Sequence, residues 1–164
     1  IKSSNLCAEI CEYSDDKEYA CCVLASIGLP KFVENGEFNF KKLEDVVELM
    51  VENLNIIIDQ NYYPVKECEI SNQKHRPLGL GVQGLADTFF KMRLPFESDE
   101  ALKVNNEIFE TIYFAALSSS KDQAIKDGTY QSYEGSPISQ GLLQFDLWNH
   151  VPAGKHWNWA ELKA

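Results

Sequence analysis

The sequence predicts an α/β chain that is mostly helical, with a few short strands and no internal domain boundary. Two observations predict this class. Long stretches repeat apolar residues at the three- and four-residue spacing of helices, and short stretches near the start have the pattern of extended chain. The hydrophobic content of 45% is ordinary for a globular protein. We therefore expect residues 1–164 to form a single domain with a substantial core.

The first extended stretch, residues 4–10, places three polar groups on one face. Because the side chains of a strand point alternately to its two faces, Asn5, Cys7 and Glu9 share one face and apolar residues occupy the other. An amide that orients a ligand, a thiol that reacts and a carboxylate that moves protons are a set suited to catalysis. From the spacing alone, an edge strand whose polar side meets water is the simpler interpretation.

Extended segments and a long helix are predicted in the first half of the chain. The extended segments cover residues 7–12 and 19–27. Apolar residues recur every three or four positions across residues 38–61, which predicts a helix capped by Asn39 and buried on most of its circumference. The polar stretch that follows, residues 65–76, is predicted to be a loop.

The second half carries two more predicted helices and a loose tail. One helix is predicted over residues 83–92. The other begins at Ser98, whose hydroxyl suits the N-cap position, and ends at Gly128. Turn residues dominate beyond residue 129. We predict that the large apolar side chains of this tail dock it against the helices: Phe145, Leu147, Trp148, Trp157 and Trp159.

The run Gly79-Leu80-Gly81-Val82-Gln83-Gly84 matches the G-x-G-x-x-G pattern of dinucleotide-binding turns. That pattern requires a buried apolar strand directly before it, and residues 71–77 are mostly polar. We therefore interpret the glycines as a loop that packs closely against the following helix, and we predict no dinucleotide site.

Charge and cysteine content limit the partners and the compartment. The net charge is −10, so we expect neither nucleic acid nor an anionic membrane as a partner. No apolar run approaches the roughly 18 residues that a membrane-spanning helix needs. The chain has five cysteines, an odd number, and no two of them form a C-x-x-C pair. This favours a reducing compartment, the cytoplasm, over a disulfide scaffold, and we expect no metal site.

Four stretches then occur together in a fixed order. They are residues 5–10 (Asn-Leu-Cys-Ala-Glu-Ile), residues 18–27, residues 75–87 and residues 130–148. In this combination the chain resembles the catalytic large subunit of class I ribonucleotide reductase over nearly its whole length. The resemblance implies a fragment of that family's ten-stranded α/β barrel, in which the stretch around Cys7 enters the barrel interior. The family's subunit is several times longer, so we expect the chain to be a piece of it.

The resemblance implies roles for four residues. Cys7 matches the radical-bearing cysteine, which abstracts the 3′ hydrogen of a ribonucleoside diphosphate. Glu9 matches the carboxylate that takes the 3′-hydroxyl proton, and Asn5 matches the amide that binds the ribose. Cys22 matches one of two cysteines that supply electrons and end as a disulfide; its family partner lies before the first residue. Val23 stands where we expect asparagine in relatives.

The resemblance also implies partners, but no cofactor bound by this chain itself. A small subunit with a metal and tyrosyl-radical site supplies the radical, and a thioredoxin- or glutaredoxin-type protein supplies the electrons. A second large subunit joins the intact enzyme. The isolated chain is expected to lack reductase activity, because the small subunit's docking site and the phosphate-binding loop fall outside it. The alternative is a non-catalytic helical module that keeps the motif and binds another protein.

Overall fold

The computed structural model describes Ser4, residues 11–152 and residues 157–163. Within these residues the chain is mostly helical and has a few short strands, as predicted. The elements in chain order are β1 (Val23–Gly28), a 3-10 turn (Leu29–Phe32), β2 (Val33–Glu34), β3 (Glu37–Phe38), α1 (Phe40–Gln60), α2 (Lys66–His75), β4 (Leu78–Gln83), α3 (Leu85–Met92), α4 (Asp99–Asp127), a 3-10 turn (Ile138–Gln140), α5 (Gln144–Leu147) and α6 (Trp159–Lys163).

Strands β1 and β4 form a parallel pair, in register from Val23 opposite Leu78 to Gly28 opposite Gln83. Parallel neighbours need a long crossover connection, which α1 and α2 provide here. Helix α1 packs against both strands and, most extensively, against α4. A β–α–β unit of this kind is the building block of parallel sheets and of α/β barrels.

The hydrophobic core lies between α1, α4, the strand pair and the 3-10 turn that follows β1. Its members without measurable exposure are Leu29 of that turn, Leu43 and Val47 of α1, and Ile108 and Ala115 of α4. None of the described helices is long and apolar enough to span a membrane.

Helix α1 confirms its predicted cap but not its predicted burial. The Asn39 side chain accepts a hydrogen bond from the Lys42 backbone N–H at 3.0 Å. One stripe of the helix is buried at three- and four-residue spacing: Leu43, Val47, Val51, Leu54 and Ile58. The prediction of burial around most of the circumference is wrong, because Leu49, Ile56 and Ile57 lie on the other side and remain exposed.

The predicted loop over residues 65–76 is wrong, because α2 occupies residues Lys66–His75. Its fully buried positions are the polar Ser71 and Asn72, so the sequence shows no apolar stripe. The helix ends where Arg76 adopts a left-handed conformation with φ of 46°. The Arg76 guanidinium then ties α2 to α1, since it donates to both carboxylate oxygens of Asp59, each at 2.9 Å.

The glycine-rich run is a strand, so its interpretation as a loop is wrong for two of the three glycines. Gly79 and Gly81 lie within β4. Gly84 fits the close-packing interpretation, although its neighbour is the 3-10 turn before β2. Its φ is +78°, and a Cβ built there would lie 2.7 Å from two ring atoms of Pro30.

Helix α4 has both predicted ends, whereas the tail docks only in part. The Ser98 hydroxyl accepts from the Ala101 N–H at 3.1 Å, and the Gly128 N–H donates to the Ala124 carbonyl at 3.0 Å. In the tail, three of the five side chains predicted to dock do pack against α4 or each other: Phe145, Trp157 and Trp159. The prediction is wrong for the other two, because Leu147 and Trp148 are 48% and 72% exposed.

Candidate active site

The predicted catalytic face of Asn5, Cys7 and Glu9 lies outside the described residues, so its geometry stays a prediction. The fourth predicted site residue, Cys22, is described and immediately precedes β1. Among the four predicted site residues, Cys22 is therefore the one whose surroundings the structure describes.

Cys22 lies half-buried where the two parallel strands begin. Its Sγ is 3.7 Å from the carbonyl oxygen of Pro77, the residue before β4, and 3.6 Å from the carbonyl oxygen of Val23. The single S–H group can donate a weak hydrogen bond to either carbonyl. The thiol thus bridges the starts of two strands and is held by backbone groups on each.

The alternation of β1 places Cys22 on the face turned away from the helices. Ile27 is buried towards α1, whereas Leu24 and Ser26 are exposed on the opposite face, with Leu24 59% exposed. Because side chains alternate, the even-numbered Cys22 shares the face of Leu24 and Ser26. In α/β barrels the helices surround the strands, so a strand face turned away from the helices is the kind of face that lines a barrel interior.

Glycines leave space on that face. In the register of the strand pair, Gly79 lies opposite Leu24 and Gly81 lies opposite Ser26. A strand glycine presents no side chain and often marks a place where a ligand or another backbone approaches closely. Opposite Leu24 and Ser26, β4 therefore presents no side chains on this face.

The Cys22 thiol is held in its protonated form. Burial raises its pKa to about 11, and the nearby Glu12 carboxylate adds to the shift. The neighbouring Cys21 also has its pKa raised to about 11, first by burial and then by Cys68. Both thiols are therefore almost entirely S–H at neutral pH, which is the form that can give up a hydrogen atom.

We expect this protonation to control alkylation of Cys22. With iodoacetamide at pH 7.5, Cys22 should react far more slowly than the exposed Cys11, because Cys22 is half-buried and only its small thiolate fraction is nucleophilic. Its rate should rise about tenfold per pH unit between pH 7.5 and 9.5, since the thiolate fraction rises in that proportion below the pKa. Mass spectrometry of time-quenched samples measures both rates. A Cys22 rate that levels off below pH 9 would contradict the raised pKa.

A buried carboxylate fixes the chain just before Cys22. Glu18 is 4% exposed, and the Lys74 ammonium donates to both of its oxygens at 2.9 and 3.1 Å. The His75 ring lies between Glu18 and Ser132, at 3.2 and 2.8 Å. These contacts fasten the segment to the end of α2. Sequence reasoning missed them because one glutamate in a polar stretch gives no periodic signal.

Metal ligation has no candidate in the parts of the chain that the structure describes. No three His, Cys, Asp or Glu side chains there are arranged to hold an ion.

Comparison with known proteins places the whole chain in one family. The family described as "Ribonucleotide reductase, barrel domain" matches residues 1–164. The ribonucleoside-diphosphate reductase large chain of Schizosaccharomyces pombe is 61% identical over 163 residues, which is 99% of this chain and 20% of that protein. The large subunits of Dictyostelium discoideum and variola virus are 56% and 57% identical, each over 99% of this chain.

The match covers this chain completely and its relatives only in part. The chain spans about a fifth of the length of the relatives that it matches. A family match over every residue, together with identity above half, is decisive for membership. The chain therefore belongs to the barrel-domain family of ribonucleotide reductases.

Proposed function

We propose that the chain forms part of the catalytic barrel of a ribonucleoside-diphosphate reductase large subunit, which makes deoxyribonucleoside diphosphates as DNA precursors. One observation carries this proposal beyond family membership. Cys22 immediately precedes β1 and shares the strand face opposite the helices with Leu24 and Ser26, which lie opposite Gly79 and Gly81 of β4. A redox cysteine that must reach a substrate inside a barrel needs this face.

The proposed reaction begins at Cys7. Its thiyl radical takes the hydrogen from C3′ of the ribose, so an S–H bond forms and a C–H bond breaks. Glu9 takes the proton of the 3′-hydroxyl, which helps the 2′-hydroxyl to leave as water. Asn5 holds the ribose by hydrogen bonds during these steps. All three residues must face one sugar, which is what their alternation along an extended segment predicts.

Cys22 then supplies reducing equivalents. Two thiols, Cys22 and a cysteine from another part of the subunit, lose two electrons and two hydrogens and become a disulfide. The substrate gains a C2′–H bond, and Cys7 returns a hydrogen to C3′ to regain its radical. The net change is one ribonucleotide and two thiols giving one deoxyribonucleotide, one disulfide and one water. The raised pKa of Cys22 supports this role, because it keeps the hydrogen on sulfur until the substrate radical forms.

The proposal includes the partners that this chemistry requires. A small subunit generates the radical at its metal and tyrosyl site, and a thioredoxin- or glutaredoxin-type dithiol reduces the disulfide after each turnover. A second large subunit completes the enzyme. Since repeated reduction of a disulfide needs a reducing compartment, we propose that the protein acts in the cytoplasm.

Replacement of Cys22 by serine tests this assignment in the full-length subunit. With the cognate small subunit, Cys22→Ser should abolish repeated deoxynucleotide formation, because a hydroxyl cannot form the disulfide. Loss of tritium from [3′-³H]-labelled substrate should persist, since Cys7 still removes that hydrogen.

The matched control is Cys11→Ser, the same substitution at an exposed cysteine, which should leave turnover unchanged. Normal turnover by Cys22→Ser would remove Cys22 from the mechanism. Loss of both turnover and tritium release would show instead that the variant disrupts the site as a whole.

A further inference from the structure

We propose that Cys21 and Cys68 form a second oxidisable thiol pair, which does not include Cys22. This pair closes into a disulfide that links the chain just before β1 to helix α2. The pair has no role in the proposed reduction. It is a modification site on the helix-covered side of the chain segment that carries Cys22.

The contacts place the Cys21 sulfur on one face of α2. Its Sγ lies 3.5 Å from the carbonyl oxygen of Cys68 and 3.3 Å from Oδ1 of Asn72. Cys68 and Asn72 are four residues apart, so they lie one above the other on the same side of the helix. The backbone is held close here as well, since the Tyr19 N–H donates to the Glu67 carbonyl at 3.1 Å.

The electrostatics of Cys21 agree with this placement. Burial is the first cause that raises the pKa of Cys21 to about 11, and the neighbouring Cys68 side chain is the next. A disulfide forms only between cysteines whose Cβ atoms lie about 3.5–4.5 Å apart. The 3.5 Å contact of the Cys21 sulfur with the Cys68 backbone, close to the Tyr19–Glu67 backbone hydrogen bond, brings the two side chains near enough to meet that requirement without unfolding. Cys22 points elsewhere, towards Pro77.

The oxidation balances with a peroxide as the oxidant. Hydrogen peroxide transfers one oxygen to the Cys68 sulfur, which gives a sulfenic acid and releases water. The Cys21 sulfur then attacks the Cys68 sulfur, so an S–S bond forms while the S–O bond breaks. The departing hydroxide takes the Cys21 proton and leaves as a second water. Two thiols lose two electrons, and one peroxide becomes two waters.

In the proposed order, Cys68 is oxidised first and Cys21 attacks the sulfenic acid. Cys21 is held almost entirely as the unreactive thiol at neutral pH and serves as the resolving partner. Closure should therefore be slow at pH 7 and about tenfold faster for each pH unit up to pH 9, because the Cys21 thiolate fraction rises in that proportion.

The test is disulfide mapping on the purified, natively folded protein. After treatment with hydrogen peroxide at pH 8.5 and blocking of free thiols, proteolysis and mass spectrometry should yield a Cys21–Cys68 linked peptide. Dithiothreitol should remove it. When the protein is denatured in the blocking reagent, Cys22 should be labelled, since the link leaves its sulfur free.

Single variants decide between this pair and other links. Cys68→Ala and Cys21→Ala should each abolish the linked peptide, whereas Cys11→Ala, at an exposed site, should leave its yield unchanged. Wild-type protein that yields no linked Cys21–Cys68 peptide while Cys68 is oxidised would overturn the proposal. So would a dominant link from Cys68 to Cys22 or Cys11. Because the wild-type map needs no variant, it tests the pair even if either alanine variant fails to fold.

Discussion

Replacing Cys7 with serine in the full-length subunit is expected to abolish deoxynucleotide formation while leaving the fold intact. The S–H bond is weak enough for sulfur to exchange a hydrogen atom with a ribose carbon almost evenly, whereas the serine O–H bond is much stronger. The radical therefore has no place to form beside the substrate. We expect turnover to fall by roughly three orders of magnitude or more, a loss of at least about 4 kcal/mol of transition-state stabilisation.

The measurement is deoxynucleotide formation with the cognate small subunit, alongside circular dichroism and thermal unfolding. Cys11→Ser makes the same atomic change four residues away and should keep full activity. The result also separates the proposed enzyme from a non-catalytic interaction module. In the module, Cys7→Ser would change nothing measurable, so unchanged turnover in the variant would contradict the catalytic assignment.

The second large effect is expected at Gly84, where alanine should destabilise the protein by about 3 kcal/mol. Two costs add. A residue with a Cβ at φ of +78° carries backbone strain of about 1 kcal/mol. The new Cβ would also lie 2.7 Å from the Pro30 ring, and relieving such an overlap in a packed region costs about 1–3 kcal/mol. Urea unfolding of the purified protein measures the sum.

Two further variants separate these costs. Gly36 has a similar φ of +85°, but a Cβ there meets nothing within 4 Å, so Gly36→Ala should show the backbone cost alone, about 1 kcal/mol. Pro30→Ala removes the ring that the new Cβ of Gly84→Ala would overlap. The double variant should therefore lose less stability than the sum of the losses in the two single variants. Strict additivity would show that the Pro30 contact is not the cause.

The helices that sequence reasoning located are those with both periodicity and a cap. Helix α1 repeats apolar residues along one stripe beneath Asn39, and α4 starts at Ser98 and ends at Gly128. Helix α2 was missed because the side that it buries is polar, so no period appears. Its charge distribution was a weaker indication of a helix. Acidic residues lie in the first turn and Lys74 and His75 in the last, which is the arrangement that the helix dipole favours.

The strand character of the glycine run could not be predicted from local sequence. Glycine is unfavourable in strands, and β4 exists because β1, 55 residues earlier in the chain, pairs with it. The burial of α1 was overestimated for a related reason. Periodicity gives the apolar sides of a helix, but not which of them another element covers.

Only part of the candidate site could be predicted from the sequence. The placement of Cys22 follows from alternation along β1, which sequence reasoning can use once the strand is known. The fastening of the preceding segment through Glu18 depends on Lys74 and His75, more than fifty residues away. A contact between residues so far apart in the chain produces no regular spacing in the sequence. The shared face of Asn5, Cys7 and Glu9 still rests on alternation alone.

The parallel pairing of β1 and β4 bears on how the barrel assembles. Within the described residues each of these strands bonds to one neighbour, so each presents a second row of backbone N–H and C=O groups with no strand opposite. Helices α1 and α4 can form a core with this pair before any further strand arrives. The unit then acts as a template on which later strands add by edge-to-edge pairing, and until they do, the same edges are where misassembly between copies would begin.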